Sequence, residues 1–276
     1  MGAVAVAGAR NVSFLGCRFE HLGGAYALSV GGASQGVHVA GCNFTDLSGG
    51  ALKLANVGVD DGNARALSND TRLWDTEYLV ERNVVEGAAL EWRGASTIFA
   101  GYVARLRLQH NTIAEVGYTG ISLGWGWGRV ASFARDNHVR HNALRGVMRA
   151  LNDGGCIYTL GPQPGSTVEA NFCALDEAPV VGCFYHDNGS RYFTTTNNVA
   201  DASPVGAPCV YLQGCCGAPA LDIEVSGLWC RGVGAARNGC AAENCTIDEA
   251  TLHVVTGAWP AEAQAIVDAA GAGVAH

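Results

Sequence analysis

The sequence predicts an all-β protein, a right-handed, single-stranded parallel β-helix (a solenoid) with a short C-terminal helix. Two observations support this fold class. A structural unit recurs every 25 to 31 residues, and the composition combines 38 glycines with only 15% charged residues. Long amphipathic helices require more charged residues and fewer glycines, so the composition favours short strands joined by tight turns.

The repeat shows in two strand patterns that run in phase. The segment ending at Cys17 recurs at Cys42, and an apolar-x-x-Asn-x-apolar pattern continues the series at Asn83, Asn111, Asn142, Asn171 and Asn197. The second pattern places equivalent apolar residues at Ile121, Ile157, Phe184 and Val210, and residues 25–28 and 51–54 fit the same slot. Units this short must stack to bury their apolar faces. We expect an inward apolar ladder and an asparagine ladder at a corner, where asparagine tolerates left-handed backbone geometry.

The pattern divides the chain into two parts. Residues 1–256 form the predicted parallel β-helix domain, which we interpret as the C-terminal part of a longer solenoid. Residues 257–276 form a short capping helix and tail, because Pro260 suits a first helical turn and Gly271 suits the position after the last turn. Such a helix would cover the last coil and its open strand edges.

Charge and hydropathy narrow the possible partners. The formal net charge is −8 and Lys53 is the only lysine, which disfavours a phosphate-binding surface for nucleic acid. No apolar run reaches the roughly 18 residues of a membrane-spanning helix, and residues 1–9 lack the basic start of a signal peptide. Zinc-ligand and phosphate-loop spacings do not occur, so we expect no metal and no cofactor. Neutral polymers or small polar ligands fit this composition better, and we expect a monomer that binds neither nucleic acid nor a membrane.

The chain contains eleven cysteines, so at least one thiol is free if the others pair. Their use leaves two alternatives open, disulfides or small buried apolar residues. Because only disulfides would indicate an oxidising compartment, the sequence leaves the cellular compartment undecided as well. Six of the cysteines crowd the C-terminal third, namely Cys209, Cys215, Cys216, Cys230, Cys240 and Cys245.

The candidate functional region runs from Tyr118 to Ser190, where glycines, aromatics and acids are densest. If the apolar ladder points inward, strand alternation puts Tyr158, Tyr185 and Asp187 on the outward face of adjacent coils. The preceding coil adds Tyr118, Trp125 and Trp127. Exposed aromatic rings beside a carboxylate are a common way to hold sugars. The alternative is that the two tryptophans pack against a neighbouring loop.

Asp153 and Asp187 are the candidate acid pair. Glycosidic cleavage uses one protonated carboxyl and one ionised carboxylate. The alternative for each is a turn aspartate that bonds its own backbone. An extended register separates them by about seven residues, on the order of 20 Å. Either loop 152–155 folds over the sheet, or the register slips, or one of the two acids has another partner. The reserve candidates are Glu115, Asp176, Glu177 and His186.

Three motifs carry a family resemblance: GISLGWGWG at 120–128, DGGCIYTLGPQPG at 153–165 and YHDNGS at 185–190. With the asparagine pair at 197–198 and the closing helix, they make the chain similar to secreted right-handed parallel β-helix glycoside hydrolases. This group includes α-L-fucosidase/xylanase-like and α-1,3-galactosidase-like enzymes. The resemblance extends from about residue 83 to the C-terminus.

The resemblance implies a hydrolase of plant, algal or host polysaccharide, secreted or at the cell surface, with Asp153 and Asp187 as catalytic acids. The predicted substrate-binding residues are Tyr118, Trp125, Trp127, Tyr158, Gln163, Tyr185, His186 and Asn188. Two features depart from the family. Asn188 stands where an acid is usual, and the family's enzymes extend further at the N-terminus.

Two other functions fit the same scaffold. A polysaccharide lyase would need a calcium-binding carboxylate cluster and a basic residue near an acidic sugar, for which Arg145, Arg149 and Arg191 are available. A non-catalytic glycan-binding solenoid would keep the aromatic row and need neither aspartate.

Overall fold

The computed structural model describes residues 2–56, 66–176 and 181–273. These residues form an all-β solenoid of nine coils, and each coil contributes one strand to each of three parallel sheets. The predicted parallel β-helix with a short C-terminal helix is confirmed.

The three sheets are named A, B and C in the order in which the chain visits them. Sheet A contains β1 Gly2–Ala7, β4 Tyr26–Gly31, β7 Gly50–Leu54, β10 Ile98–Ala100, β13 Ile121–Leu123, β16 Ile157–Thr159, β19 Phe184–His186, β22 Val210–Leu212 and β25 Ala236–Asn238. Sheet B contains β2 Arg10–Leu15, β5 Gln35–Ala40, β8 Thr76–Glu81, β11 Arg107–Gln109, β14 His138–Arg140, β17 Pro162–Glu169, β20 Arg191–Thr196, β23 Glu224–Ser226 and β26 Thr246–Ile247. Sheet C contains β3 Arg18–Leu22, β6 Asn43–Leu47, β9 Val84–Ala88, β12 Thr112–Val116, β15 Ala143–Arg145, β18 Phe172–Ala174, β21 Val199–Asp201, β24 Leu228–Arg231 and β27 Leu252–Val254.

Four short helical segments complete the described structure. Three are single 3₁₀ turns at Thr71–Leu73, Ala241–Glu243 and Glu249–Thr251. The fourth is the α-helix α1, Ala261–Ala269. No helix within the three described ranges is long and apolar enough to cross a membrane.

The core is the column of side chains enclosed by the three sheets. On sheet A, Ile121, Ile157, Phe184 and Val210 pair in register and are buried, which confirms the predicted inward ladder. The ladder continues upstream through Ile98, in a strand that the sequence pattern did not predict. The predicted slots at 25–28 and 51–54 are strands of this sheet, but their alignment was off by two residues, because Leu28 pairs with Leu52.

The predicted asparagine ladder is present at the corner between sheets B and C. The buried amide groups bond neighbouring coils; for example, Asn142 Nδ2 donates to Asn171 Oδ1 in the next coil at 3.0 Å and to the Leu108 carbonyl in the preceding coil at 2.9 Å. The last member is Asn198, not Asn197 as predicted. Left-handed backbone geometry belongs to the residue before each ladder asparagine, such as His141 with φ 53°. The ladder is therefore held by amide hydrogen bonds between coils.

Of the two alternatives for the cysteines, most of them form disulfides. Four bonds are present: Cys156–Cys173, Cys209–Cys230, Cys215–Cys216 and Cys240–Cys245. The six C-terminal cysteines thus pair among themselves. Cys17, Cys42 and Cys183 are free thiols, and the last two are buried.

Helix α1 lies along the side of the solenoid. Ala263 is fully buried in a cluster with Phe172 and Val199, which project outward from sheet C. The chain then runs back toward the N-terminal coils, and the amide of Gly271 donates to the His141 carbonyl at 2.9 Å. The expectation that the helix covers the last coil is wrong, because its apolar face packs against outward-facing apolar residues of sheet C. The domain division at residue 257 stays a prediction.

Candidate active site

The outward face of sheet A carries one continuous row of side chains, one from each of eight coils. Strand register places them in the order Ser29, Lys53, Phe99, Ser122, Tyr158, Tyr185, Tyr211 and Arg237. Neighbouring strands in a sheet are about 4.8 Å apart, so the row is a ladder with aromatic rings in its middle. The predicted outward position of Tyr158 and Tyr185 is observed.

Asp187 follows β19 at the centre of this row and is 6% exposed. Its two oxygens accept hydrogen bonds from two tyrosine hydroxyls, from Tyr158 at 2.5 Å and from Tyr185 at 2.9 Å. Burial raises the pKa of both tyrosines, and the adjacent carboxylate raises the pKa of each further. Both tyrosines therefore remain neutral donors, and Asp187 is held as a fixed acceptor.

Asp153 lies in the loop before β16, in left-handed geometry with φ 63°. The next two residues have no room for side chains: a Cβ on Gly154 would lie 2.3 Å from Thr119 Oγ1, and one on Gly155 would lie 2.4 Å from the Gly182 carbonyl. The hydroxyl of Tyr118 donates to the Asp153 carbonyl at 2.8 Å. Close passage of the glycines between coils, together with this hydrogen bond, keeps Asp153 on the outer surface.

The two carboxyls are electrostatically linked. Burial raises the pKa of Asp153, the negative charge of Asp187 raises it further, and the nearby Tyr185 hydroxyl partly lowers it. An extended register implied a separation on the order of 20 Å, and the effect of the Asp187 charge on the pKa of Asp153 favours a shorter one.

A cavity of about 400 Å³ opens beside the acid pair. Trp125 contacts Trp127 edge to face, with ring centroids 5.0 Å apart, and contacts Phe99 in the same way at 5.8 Å. Trp127 is 53% exposed. Tyr158 lines the cavity and bonds Asp187, so it joins the cavity to the carboxyls. The lining residues are Tyr26, Lys53, Gly94, Ser96, Phe99, Tyr118, Ser122, Trp125, Trp127, Tyr158 and Leu160.

Three predicted substrate-binding residues face away from this cavity. Gln163 is 1% exposed and bonds Asn137 and the carbonyls of Leu123 and Leu160, so it supports a turn. His186 points into the solenoid, because alternation turns the residue after Tyr185 inward. Asn188 is nearly buried: its amide nitrogen donates to the Cys216 carbonyl, and its Oδ1 has no partner among the described residues. Direct sugar contact by Gln163 and His186 is therefore not available.

The buried His186 makes stability depend on pH. Its ring nitrogens bond Thr159 and Thr195, and burial lowers its pKa to about 3. The unfolded chain binds this proton near the ordinary pKa of 6.5, so protonation favours unfolding below that pH. As the pH falls from roughly 6 to 4, we expect protonation of this residue in the unfolded chain to lower the free energy of unfolding by about 1.4 kcal/mol per pH unit.

Urea unfolding at several pH values checks this expectation against the variant His186→Leu. Leucine is chosen because Leu212 occupies the equivalent position in the next coil. The variant should lose stability at neutral pH and show a shallower decline with acid. Equal slopes for variant and wild type would contradict the assignment.

Sequence reasoning missed two groups of site residues. Tyr211 Oη donates to Gln213 Oε1 at 2.7 Å, and Gln213 Nε2 donates to the Tyr185 hydroxyl at 3.3 Å, which supports the acid pair from behind. Tyr26 and Lys53 line the far end of the cavity. Tyr211 and Lys53 occupy the same outward slot as Tyr185 in the repeat, so the repeat register was the signal that could have found them.

The reserve candidates do not reach the cavity. Glu115 forms an ion pair with Arg149 on the sheet C side, and Asp176 lies near Gly146 at the same corner. Glu177 lies outside the described residues. The arginines considered for a lyase are also engaged elsewhere, since Arg145 stacks on Phe172 and Arg191 bonds Asp222. Within the described ranges, no group of three or more His, Cys, Asp or Glu side chains is arranged to hold a metal ion.

Comparison with known proteins gives one informative match. No protein-family model and no curated protein matches the sequence. A solved structure described as "Glycoside hydrolase" superposes with a TM-score of 0.68 and 26% sequence identity over 96% of this chain. The chain spans only 41% of the length of that structure. The solenoid and its decorated coils are therefore similar to part of a larger protein of that description.

Proposed function

We propose that this chain is a glycan-acting enzyme, a glycoside hydrolase that uses Asp153 and Asp187 as its carboxyl pair. The observation that carries the proposal is that the hydroxyls of Tyr158 and Tyr185 hold Asp187 beside an aromatic-lined cavity, with Asp153 near enough for the Asp187 charge to raise its pKa. The similarity to a solved structure described as a glycoside hydrolase supports the same class. The finer assignment to the α-L-fucosidase/xylanase-like and α-1,3-galactosidase-like group stays a prediction from the motifs.

The two carboxyls differ in a way that suits acid and base roles. Asp153 is exposed and its pKa is raised, first by burial of part of the group and then by Asp187, so its protonated form persists to higher pH. Asp187 accepts two hydroxyl donors, which hold it in place as the base or nucleophile. Two carboxyls in unlike environments are the usual source of acid and base assignments in glycosidases.

In the proposed reaction, protonated Asp153 donates its proton to the leaving glycosidic oxygen as the C–O bond breaks. Asp187 either attacks the anomeric carbon or removes a proton from the attacking water, and water supplies the new hydroxyl on the sugar. Tyr158 and Tyr185 hold Asp187 in one orientation throughout. The rings of Trp125 and Trp127 provide apolar faces for the sugar.

The variant Asp153→Asn tests the role of the acid. Turnover of glycosides with poor leaving groups should fall about 10²-fold or more, whereas aryl glycosides of the released sugar, whose leaving group needs no proton, should lose much less. Wild-type activity should decline as pH rises through the pKa of Asp153, and the variant should lack that decline. Kinetics on both substrate types across pH measure this.

Asp136→Asn is the matched control, because Asp136 is also a left-handed aspartate, with φ 53°, in a turn beside sheet B. Its activity should equal that of the wild type. An Asp153→Asn variant with wild-type turnover on poor leaving groups would remove Asp153 from the mechanism.

The cellular setting follows from the cysteines. Four disulfides are typical of an oxidising compartment. Secretion or display at the cell surface is accordingly part of the proposal, as is a polysaccharide or glycan substrate acted on by a monomer.

A further inference from the structure

Lys53 has an unusual position in this acidic protein. It is the only lysine in a chain of net charge −8, and it lies on the wall of the aromatic cavity. No carboxyl lies among the described residues that line the cavity, so the single full charge on these walls is positive. No ion pair of Lys53 occurs within residues 2–56, 66–176 and 181–273.

The acid pair is too distant to neutralise this ammonium group. In the outward row, Lys53 precedes Tyr158 by three coils, through Phe99 and Ser122. Three strand spacings amount to about 14 Å, far beyond the roughly 4 Å of an ion pair, and Asp187 follows the strand one coil beyond Tyr158. The ammonium group is accordingly also too far away to act as an acid or base at the Asp187 carboxylate.

The walls around Lys53 strengthen its attraction for an anion. Tyr26, Phe99 and Tyr118 are apolar neighbours in the cavity, and burial raises the pKa of Tyr26 to about 12, so its hydroxyl stays a neutral donor. Apolar walls lower the local dielectric, and the Coulomb attraction between opposite charges increases accordingly. An anion here would meet one cation and neutral hydroxyl donors.

We propose that this end of the cavity binds an anionic substituent of the glycan, a carboxylate or a sulfate ester. The inference rests on the proposed function and specifies its substrate: an acidic glycan that lies along the outward row of sheet A. The anionic sugar sits at Lys53, and the bond to be cleaved sits at Asp153 and Asp187, more than one sugar ring away. Lys53 is a specificity residue and takes no part in bond cleavage.

Binding to a glycan array tests the proposal. The array carries matched pairs that differ only in charge: polyuronates with their methyl esters, and sulfated galactans with their desulfated forms. The full chain carries Asp187→Asn throughout, so that no glycan is consumed. We expect a carboxylated or sulfated glycan to bind about 10- to 100-fold more tightly than its neutral partner. Which of the two pairs shows the difference identifies the anion.

Three further variants locate the effect. Lys53→Gln should abolish the difference, Lys53→Arg should retain most of it, and Arg107→Gln should leave it unchanged. Arg107 is an exposed cation on sheet B, so its replacement makes the same charge change outside the cavity. Equal binding of charged and neutral partners, absence of any bound acidic glycan, or an unchanged preference in Lys53→Gln would overturn the proposal.

Turnover of the same glycans by the wild type, measured beside the array, separates this inference from the proposed function. Turnover of neutral glycans by the wild type without any preference for charge would retain the hydrolase and reject the role of Lys53. Selective binding of acidic glycans that Lys53→Gln abolishes, without turnover by the wild type, would retain the anion site and reject the hydrolase.

Discussion

Asp187→Asn is expected to reduce glycan turnover by about 10³-fold or more while leaving glycan binding and the fold intact. Asparagine has the shape of aspartate and still offers an oxygen to Tyr158 or Tyr185, but it cannot act as a nucleophile or accept a proton. Steady-state kinetics with a bound-glycan titration on the same preparation measure both quantities. A large loss of turnover with little loss of affinity would assign Asp187 to catalysis and not to glycan binding.

Asp75→Asn is a matched control for this change. Asp75 is also a buried aspartate, and it accepts a hydrogen bond from the Tyr78 hydroxyl at 2.8 Å. It lies beside sheet B, away from the cavity, so its replacement should lower the melting temperature and spare turnover. Unchanged turnover in Asp187→Asn would remove Asp187 from the mechanism.

The second large effect concerns the asparagine ladder. Asn142 donates to the Leu108 and Arg140 carbonyls and to Asn171, and its Oδ1 accepts from the amide of Asn111. Asn142→Ala removes these bonds at a buried corner and leaves several backbone groups without partners. We expect a loss of about 3 to 5 kcal/mol in unfolding free energy, measured by urea denaturation.

Asn43→Ala is the control, because Asn43 is an exposed asparagine at the start of β6. The same chemical change there should cost less than about 0.5 kcal/mol. A similar small cost for Asn142→Ala would mean that water or neighbouring amides replace the ladder bonds.

The fold could be predicted because a solenoid repeats its constraints. Each coil must present an apolar residue at the same point, so the positions of Ile121, Ile157, Phe184 and Val210 recur in the sequence itself. The ladder asparagines recur for the same reason. Asn197 was preferred to Asn198 because two adjacent asparagines satisfy the pattern equally, and only the left-handed φ at Asn197 distinguishes them.

The site was predictable where strand alternation governs it and not where loops do. Alternation put Tyr158 and Tyr185 outward, but the same rule turns His186 inward, and the motif-based expectation overlooked this. The proximity of Asp153 to Asp187 depends on how loop 152–155 crosses the sheet. That path is set by contacts of Gly154 and Gly155 with other coils, which a local pattern does not contain.

The most direct test of the central claim is analysis of the products formed from a panel of plant, algal and host polysaccharides. Hydrolysis through Asp153 and Asp187 predicts new reducing ends without ultraviolet absorbance from a new double bond, and no products from the double variant Asp153→Asn/Asp187→Asn. Products that carry a new double bond would identify a lyase. Tight binding of a glycan with no products from the wild type would contradict the enzymatic account.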